Sequence, residues 1–311
     1  MTSSFKREIF FNLAYLIITF LASFIIIFLA LGIFLVLFKE AYPAIKTFGF
    51  LGFLLSTEWD PVKEVFGAAP SLIGTLITSL LALTIAVPTA LGIAIFINEV
   101  APSFLKDFIS TGIELLAAIP SIIYGMWGLF TLAPLMAKYI EPFLQETIGK
   151  LPLIGKLFEG TPLGIDLLTA SVILSIMIIP FTASVARDSL ALTPPVLKES
   201  AYAIGATKWE VIKDVMLPYS KLGIIGGIGL SLGRALGETM AVAFVLGNVN
   251  KIPTSLLEAS TTVTVKLANE FTEADKDIHL ASLFYLALLL FIMSFFILAL
   301  AKLLFLKIER R

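Results

Sequence analysis

Arg234 and Glu238 stand near the middle of a long apolar block, four residues apart. On a helix that spacing puts them on one face with backbones ~6 Å apart, within reach of each other's side chains. A charge at that depth costs ~2.5 to 3.5 kcal/mol on insertion scales unless a partner or water compensates it. Two roles fit the pair. One is a buried ion pair that fixes helix register. The other is an anion station, in which the arginine fork grips a tetrahedral oxyanion in bidentate fashion. The nearby carboxylate then accepts a hydrogen bond from an oxyanion that still carries a proton, as phosphate does near neutral pH and sulfate does not. In that role Arg234 attracts, Glu238 discriminates, and Glu238 also caps the resting charge of Arg234. Gly229, Gly233 and Gly237 repeat at the same spacing about 100° around the helix, a stripe where a second helix is expected to approach closely. Glu114, about two turns inside another apolar block, reads either as an inner-gate residue of a pathway or as a partner for Arg187 or a neighbouring hydroxyl.

The elements that hold these residues follow from composition. Of 311 residues 58% are hydrophobic and 14% charged, too little polar surface for a soluble globule of that length. The expected class is an all-α membrane protein. A span needs ~20 apolar residues, and six blocks qualify: about 10–38, 72–97, 108–137, 167–187, 219–248 and 280–306. The first is longer than a signal-peptide apolar region and lacks a small-residue cleavage site, so it is expected to remain as an anchor. Pro88, Pro120 and Pro180 fall inside blocks, where each can kink a helix. Outer loops at about 39–71, 138–166 and 249–279 are long enough to carry short helices, with Glu141-Pro142 to Lys150 and Lys156 to Glu159 as candidates.

Lys6, Arg7, Lys106, Arg187, Lys198, Lys208, Lys213, Lys221, Lys302, Lys307, Arg310 and Arg311 gather on one side if the N-terminus is inside. That bias places both termini in the cytoplasm. The chain has no cysteine, which excludes disulfide scaffolds, thiolate zinc sites and cysteine nucleophiles, and no metal site is expected. Its single histidine, His279, reads as an interfacial polar residue at the outer end of the last span. No Gly-x4-Gly-Lys-Ser/Thr loop is present, since Gly149-Lys150 and Gly155-Lys156 lack the upstream glycine and the following hydroxyl. Any ATP hydrolysis belongs to another chain. Nothing in the pattern calls for nucleic acid.

Between the fourth and fifth blocks lies a polar island, 193–218, on the cytoplasmic side. Thr193 and Pro194 read as an N-cap and first helical position, and Gly205 as a stop or bend. Leu197, Ala201 and Ile204 recur at helical spacing before the glycine, and Trp209, Ile212 and Met216 after it, giving two short amphipathic helices at an angle. Such a hairpin can dock another protein or lie on the membrane surface.

Glu199, Ser200, Ala201, Gly205, Leu217 and Pro218 together resemble the E-A-A, three residues, G, nine residues, I-x-L-P signature of importer permeases in the ATP-binding-cassette class. Ser200 replaces Ala and Val215 replaces Ile, both small changes. The segments Gly74 to Pro102, Glu114 to Gly128, Ala201 to Glu210 and Gly223 to Val242 are similar to the permeases of phosphate-specific importers, over about residues 56–305. Leu217-Pro218-Tyr219 and Glu238-Thr239-Met240 favour the first of the two related permease subunits in such an importer.

The resemblance implies a type I importer permease fold with cytoplasmic coupling helices. Residues 1–71 would hold a first span that wraps a neighbour together with the first outer loop, and 72–306 the transmembrane domain. It implies a second, related permease subunit, two ATP-binding-cassette ATPase subunits that grip the hairpin, an external phosphate-binding protein on the outer loops, and surrounding lipid of the cytoplasmic membrane. Arg234, Glu238, Thr239 and Glu114 would line the substrate pathway, and this chain would bind no cofactor, ATP being used by its partners. The chain is then a transport subunit and not an enzyme. The alternatives are a permease for molybdate, sulfate or another oxyanion, and an intramembrane enzyme acting on a phospholipid-like substrate, which accounts for the charged pair but not for the hairpin.

Overall fold

The computed structural model describes residues 2–152 and 154–309, with side chains described from 11 to 303 apart from 153. Lys6, Arg7, Lys307, Arg310 and Arg311, used above for orientation, lie outside the described side chains. The helices are α1 (Thr2–Phe48), α2 (Phe50–Leu55), α3 (Ala69–Val100), α4 (Ser103–Ala117), α5 (Ser121–Lys150), α6 (Leu167–Ala191), α7 (Pro195–Ala203), α8 (Lys208–Leu236), α9 (Met240–Ala243), α10 (Val263–Glu270) and α11 (Asp277–Glu309). The described residues form no strand ladder, only two isolated bridges. Five helices, α1, α3, α6, α8 and α11, are long and apolar enough to cross a membrane, and α4 with α5, bent by 91° at their junction, makes a sixth crossing if the pair is one span.

Several boundaries differ from the apolar blocks, each for a local reason. Helix α1 runs on to Phe48 through Pro43. Residues 39–48, read above as loop, are therefore helical, and Ala41 and Ala44 in them are fully buried. The block 108–137 is not one rod. Residues 118–120 interrupt it, because a proline disfavours helical backbone in the residue before it. Pro120 therefore starts a helix instead of kinking one, whereas Pro88 and Pro180 lie within helices. Helix α5 then continues past the apolar stretch into Glu141–Thr147.

The core gathers where α3 and α6 cross, with Ala82, Ala86, Ile173, Leu174 and Met177 closed by Ala235, Val242 and Val245. Small residues on α3 let the helices approach, as packing in lipid requires. On α8 the buried row is Ser220, Ile224, Gly227, Ser231 and Ala235. Ser231 and Thr182 share a hydroxyl hydrogen bond at 2.7 Å across to α6. A Cβ on Gly227 would sit 2.7 Å from Val185, and one on Gly223 would collide with Ser189. The predicted stripe is elsewhere: a Cβ on Gly229 would meet nothing within 4 Å, and one on Gly233 would make only ordinary contact with Leu298. Close packing within this chain uses Gly223 and Gly227, since α8 turns that face to α6. Gly227→Leu is expected to lower folded yield and thermal stability by about 1 to 3 kcal/mol through overpacking. Gly229→Leu should leave the melting temperature of the isolated chain unchanged, which thermal scans in detergent would check.

Beyond the apolar stretches of α5 and α6 lies a buried acid pair. Asp166 caps α6, accepting from the Thr169 amide at 2.8 Å, while Glu141 accepts from the Gly164 amide at 3.2 Å and from Thr169 Oγ1 at 3.4 Å. Both carboxyls have zero exposure. Burial first, and the Asp166 charge second, push Glu141 up to about 7, and burial raises Asp166 as well. A raised folded-state value contributes stability below the unfolded pKa that is lost as pH climbs. Melting temperature is therefore expected to fall between about pH 4.5 and 7. Glu141→Gln, which mimics the protonated form, should melt higher than the parent at pH 8 and equally below pH 5.

His279, at the start of α11, is 4% exposed and stacked on Phe66. Its Nε2 lies 3.0 Å from a Glu270 oxygen that also accepts from Trp59 Nε1 at 2.6 Å. Lys266 completes the group, 3.2 Å from the other Glu270 oxygen and over the Trp59 ring. This cluster ties the 56–68 loop, α10 and the start of α11 together.

Candidate functional site

Two helix interruptions meet inside the bundle. The first, at 118–120, separates α4 from α5, and Tyr124 bridges it by donating its hydroxyl to the Leu116 carbonyl at 2.9 Å. The second, at 237–239, ends α8. Gly237 caps the helix, and the chain turns into the short α9. Gly125 of α5 packs directly on α9, where a Cβ would sit 2.7 Å from the Met240 carbonyl and from Phe244. Irregular backbone at this depth persists only where protein buries it or it lines a polar cavity, and broken helices of this kind build ion and substrate sites.

The break changes the geometry expected for Arg234 and Glu238. With the helix finished at Leu236, the two no longer stand one turn apart on a common axis, and among the described residues no ion pair joins them. Glu238 turns forward instead, its Oε1 accepting from the Ala241 amide at 3.1 Å to cap α9, while its own carbonyl accepts from Thr264 Oγ1 at 2.7 Å. Arg234 is half-buried with its guanidinium over the Phe181 ring, 5.9 Å from the centroid. No carboxylate neutralises it among the described residues. Thr239 follows Glu238 at the start of α9, half-buried. Phe181 and Thr264 escaped the sequence reading, and Tyr124 entered it only as part of the segment Glu114 to Gly128. The signals available were Pro120 between two apolar runs, which announces a break, and Gly237 just after the last regular turn, which announces a cap.

Glu114 does not join this group. Its Oε1 lies 3.2 Å from Arg187, which also binds Asp188 at 2.8 Å, so of the two roles weighed for it the geometry shows the ion pair.

The island 193–218 is one short helix followed by the first turns of a long one. Thr193 is 3% exposed and shares a hydroxyl contact with Ser220. Pro194 therefore takes the N-cap position and Pro195 the first helical position, one residue later than the spacing predicts. Gly205 at φ +92° closes α7: its amide donates to the Tyr202 carbonyl at 2.9 Å and the Ala206 amide to the Ala201 carbonyl at 3.1 Å. That pair of bonds is a Schellman motif, which needs a left-handed residue and favours glycine. Thr207 and Glu210 then form a capping box that starts α8. No second short helix ends before the span, because Val211, Ile212 and Met216 are buried with Ala94, Ala186 and Leu190 and carry the helix straight on. A π turn at Val211–Met216 opens the ladder just ahead of Pro218, which lacks a donor. Glu199, Ser200 and Gly205 are exposed, Ala201 and Leu217 half-buried, and Ile204 is 88% exposed at the tip.

The family described as binding-protein-dependent transport system inner membrane component matches residues 90–310. The phosphate transport system permease protein PstC of Mesorhizobium japonicum is 49% identical over 290 residues, covering 93% of this chain and 88% of its own. The PstC of Pasteurella multocida is 51% identical over 271 residues, 87% of this chain and 84% of its own. A probable PstC of Methanocaldococcus jannaschii is 37% identical over 284 residues, 89% and 88% of the two chains. One solved structure, of inward facing conformations of the MetNI methionine ABC transporter, overlays with a TM-score of 0.53 at 18% identity over 80% of this chain and 99% of that one. That likeness concerns the fold.

Proposed function

The chain belongs to the family of binding-protein-dependent transport system inner membrane components, and from that premise we propose that it is the permease subunit of an ATP-driven importer of inorganic phosphate. It is a transport component and not an enzyme. The observation that carries the reading within the molecule is the half-buried Arg234 guanidinium, held at a helix break without a carboxylate among the described residues. A charge so placed is stabilised by an arriving anion. Phosphate suits it because the guanidinium fork offers two parallel donors to two oxyanion oxygens. Glu238 and Thr239, at the start of α9, supply an acceptor and a hydroxyl for the protonated oxygen of a monoacid phosphate.

In this reading the chain pairs with a related PstA-like permease, and two PstB-like ATPase subunits take the α7 to α8 elbow, with Glu199, Ser200, Ala201 and Gly205 presented to them. A PstS-like phosphate-binding protein docks on the opposite side, and lipid surrounds the bundle. The elbow and both termini face the cytoplasm, and this chain binds no cofactor of its own. ATP-driven closure of the motor subunits rocks the spans and exposes Arg234 first to the outside and then to the inside. Uptake of labelled phosphate by the reconstituted complex tests this. Phosphate alone should compete, with sulfate and molybdate at tenfold excess leaving uptake within about twofold, and equal competition by sulfate would reassign the cargo.

A further inference from the structure

Helix α7 has no buried residue of its own, and Val196, Leu197 and Tyr202 on it are exposed. The chain joins α7 to α6 and α8, yet α3 lies far away in sequence. One strong polar link crosses that gap: Lys198 Nζ meets Glu99 Oε1 at 2.6 Å, with side-chain exposures of only 25% and 11%. Glu99 sits in the π turn Phe96–Val100 that ends α3. Its neighbour Asn98 donates to the carbonyls of Ala94, at 3.1 Å, and of Arg187 on α6, at 3.0 Å. Lys106 of α4 donates to the Asn98 carbonyl at 2.7 Å. This turn therefore binds α4, α6 and α7 through two adjacent residues, and π turns inserted in α-helices commonly mark functional positions.

We propose that the Glu99–Lys198 ion pair is a strut that makes α3 follow the docking elbow, so that both are positioning residues for coupling ATP hydrolysis to transport. The proposal rests on the function given above. A partly buried pair of this length holds its geometry better than an exposed one, and removing one partner leaves the other charge desolvated. Without the strut α7 can tilt under the motor subunits while α3 stays behind.

The test is a charge exchange in the complete reconstituted complex, comparing Glu99→Lys, Lys198→Glu and the double exchange. Each single reversal is expected to retain the ATPase subunits and hydrolyse ATP within about twofold of the parent, while phosphate moved per ATP falls about tenfold. The double exchange should restore that ratio to within about threefold. Because the natural chain contains no cysteine, spin labels at Val196→Cys on α7 and Thr89→Cys on α3 give a second reading that needs no cargo. Their separation should hold across nucleotide states in the parent and in the double exchange, and change in the single reversals. Single variants that transport and move like the parent, or a double exchange no better than the worse single one, would overturn the strut. If a reversal blocks assembly, Glu99→Gln is read in its place, and an unchanged transport ratio overturns the proposal equally. A parent complex that hydrolyses ATP but moves no phosphate would remove the function proposed above, while the label distances still judge the strut.

Discussion

Arg234→Ala is expected to cut ATP-driven phosphate uptake about a hundredfold while the complex still assembles. Hydrogen bonds to a charged group contribute about 1.5 to 3 kcal/mol each. A bidentate contact therefore stands for at least the ~2.7 kcal/mol that separates the two rates, at 1.36 kcal/mol per tenfold. Stability should not suffer in the same measure. Among the described residues Arg234 has no ion-pair partner, so its removal strands no buried carboxylate, and the contact with the Phe181 ring that it gives up is a modest one. Arg234→Lys keeps the charge and loses the fork, and should fall between the two, about tenfold below the parent. Uptake at the parental rate in the alanine variant would exclude Arg234 as the station. If instead the alanine variant lost folded protein as well as uptake, Arg234 would be a structural cation.

Ile204→Asp should release the ATPase subunits from the complex without lowering the melting temperature of the permease chain. Ile204 stands at the tip of the elbow with 88% of its surface exposed, an apolar side chain that the described residues leave almost uncovered. Burying such a side chain in a partner stabilises a contact by about 1.5 to 3 kcal/mol. An unpaired carboxylate in its place adds a desolvation penalty. Together these predict at least a hundredfold loss of affinity, read as ATPase subunits absent after affinity purification. Because the described residues bury so little of the Ile204 side chain, folding is expected to be unaffected. Copurification of the ATPase subunits at the parental ratio would show that the elbow is not their seat.

Much of this was legible one element at a time. Composition and block length announced an all-helical membrane chain, since ~20 apolar residues in a row have few other uses. Gly205 was legible as a stop because the Schellman bonds need a residue at positive φ. What failed was the assumption that an apolar block is one helix. Apolar character reports what surrounds a segment: the 237–246 segment packs among apolar side chains of the core, and the broken α4 to α5 path leaves Phe104, Phe108, Leu115 and Ile123 exposed as a lipid-facing or partner-facing helix would. The breaks at Pro120 and Gly237 are backbone events that hydropathy does not register.

The sequence by itself therefore determined the solvent this chain lives in, the identity of its in-span charges and the elbow that interrupts its spans, because each depends on residue type and short-range spacing. Only the tertiary structure decided that Arg234 and Glu238 part company, that Gly223 and Gly227 take the close contact, and that Lys198 reaches Glu99. The first depends on where α8 stops, the second on which face it turns to α6, and the third on two helix ends meeting in space. Spacing along one helix carries no information about any of them.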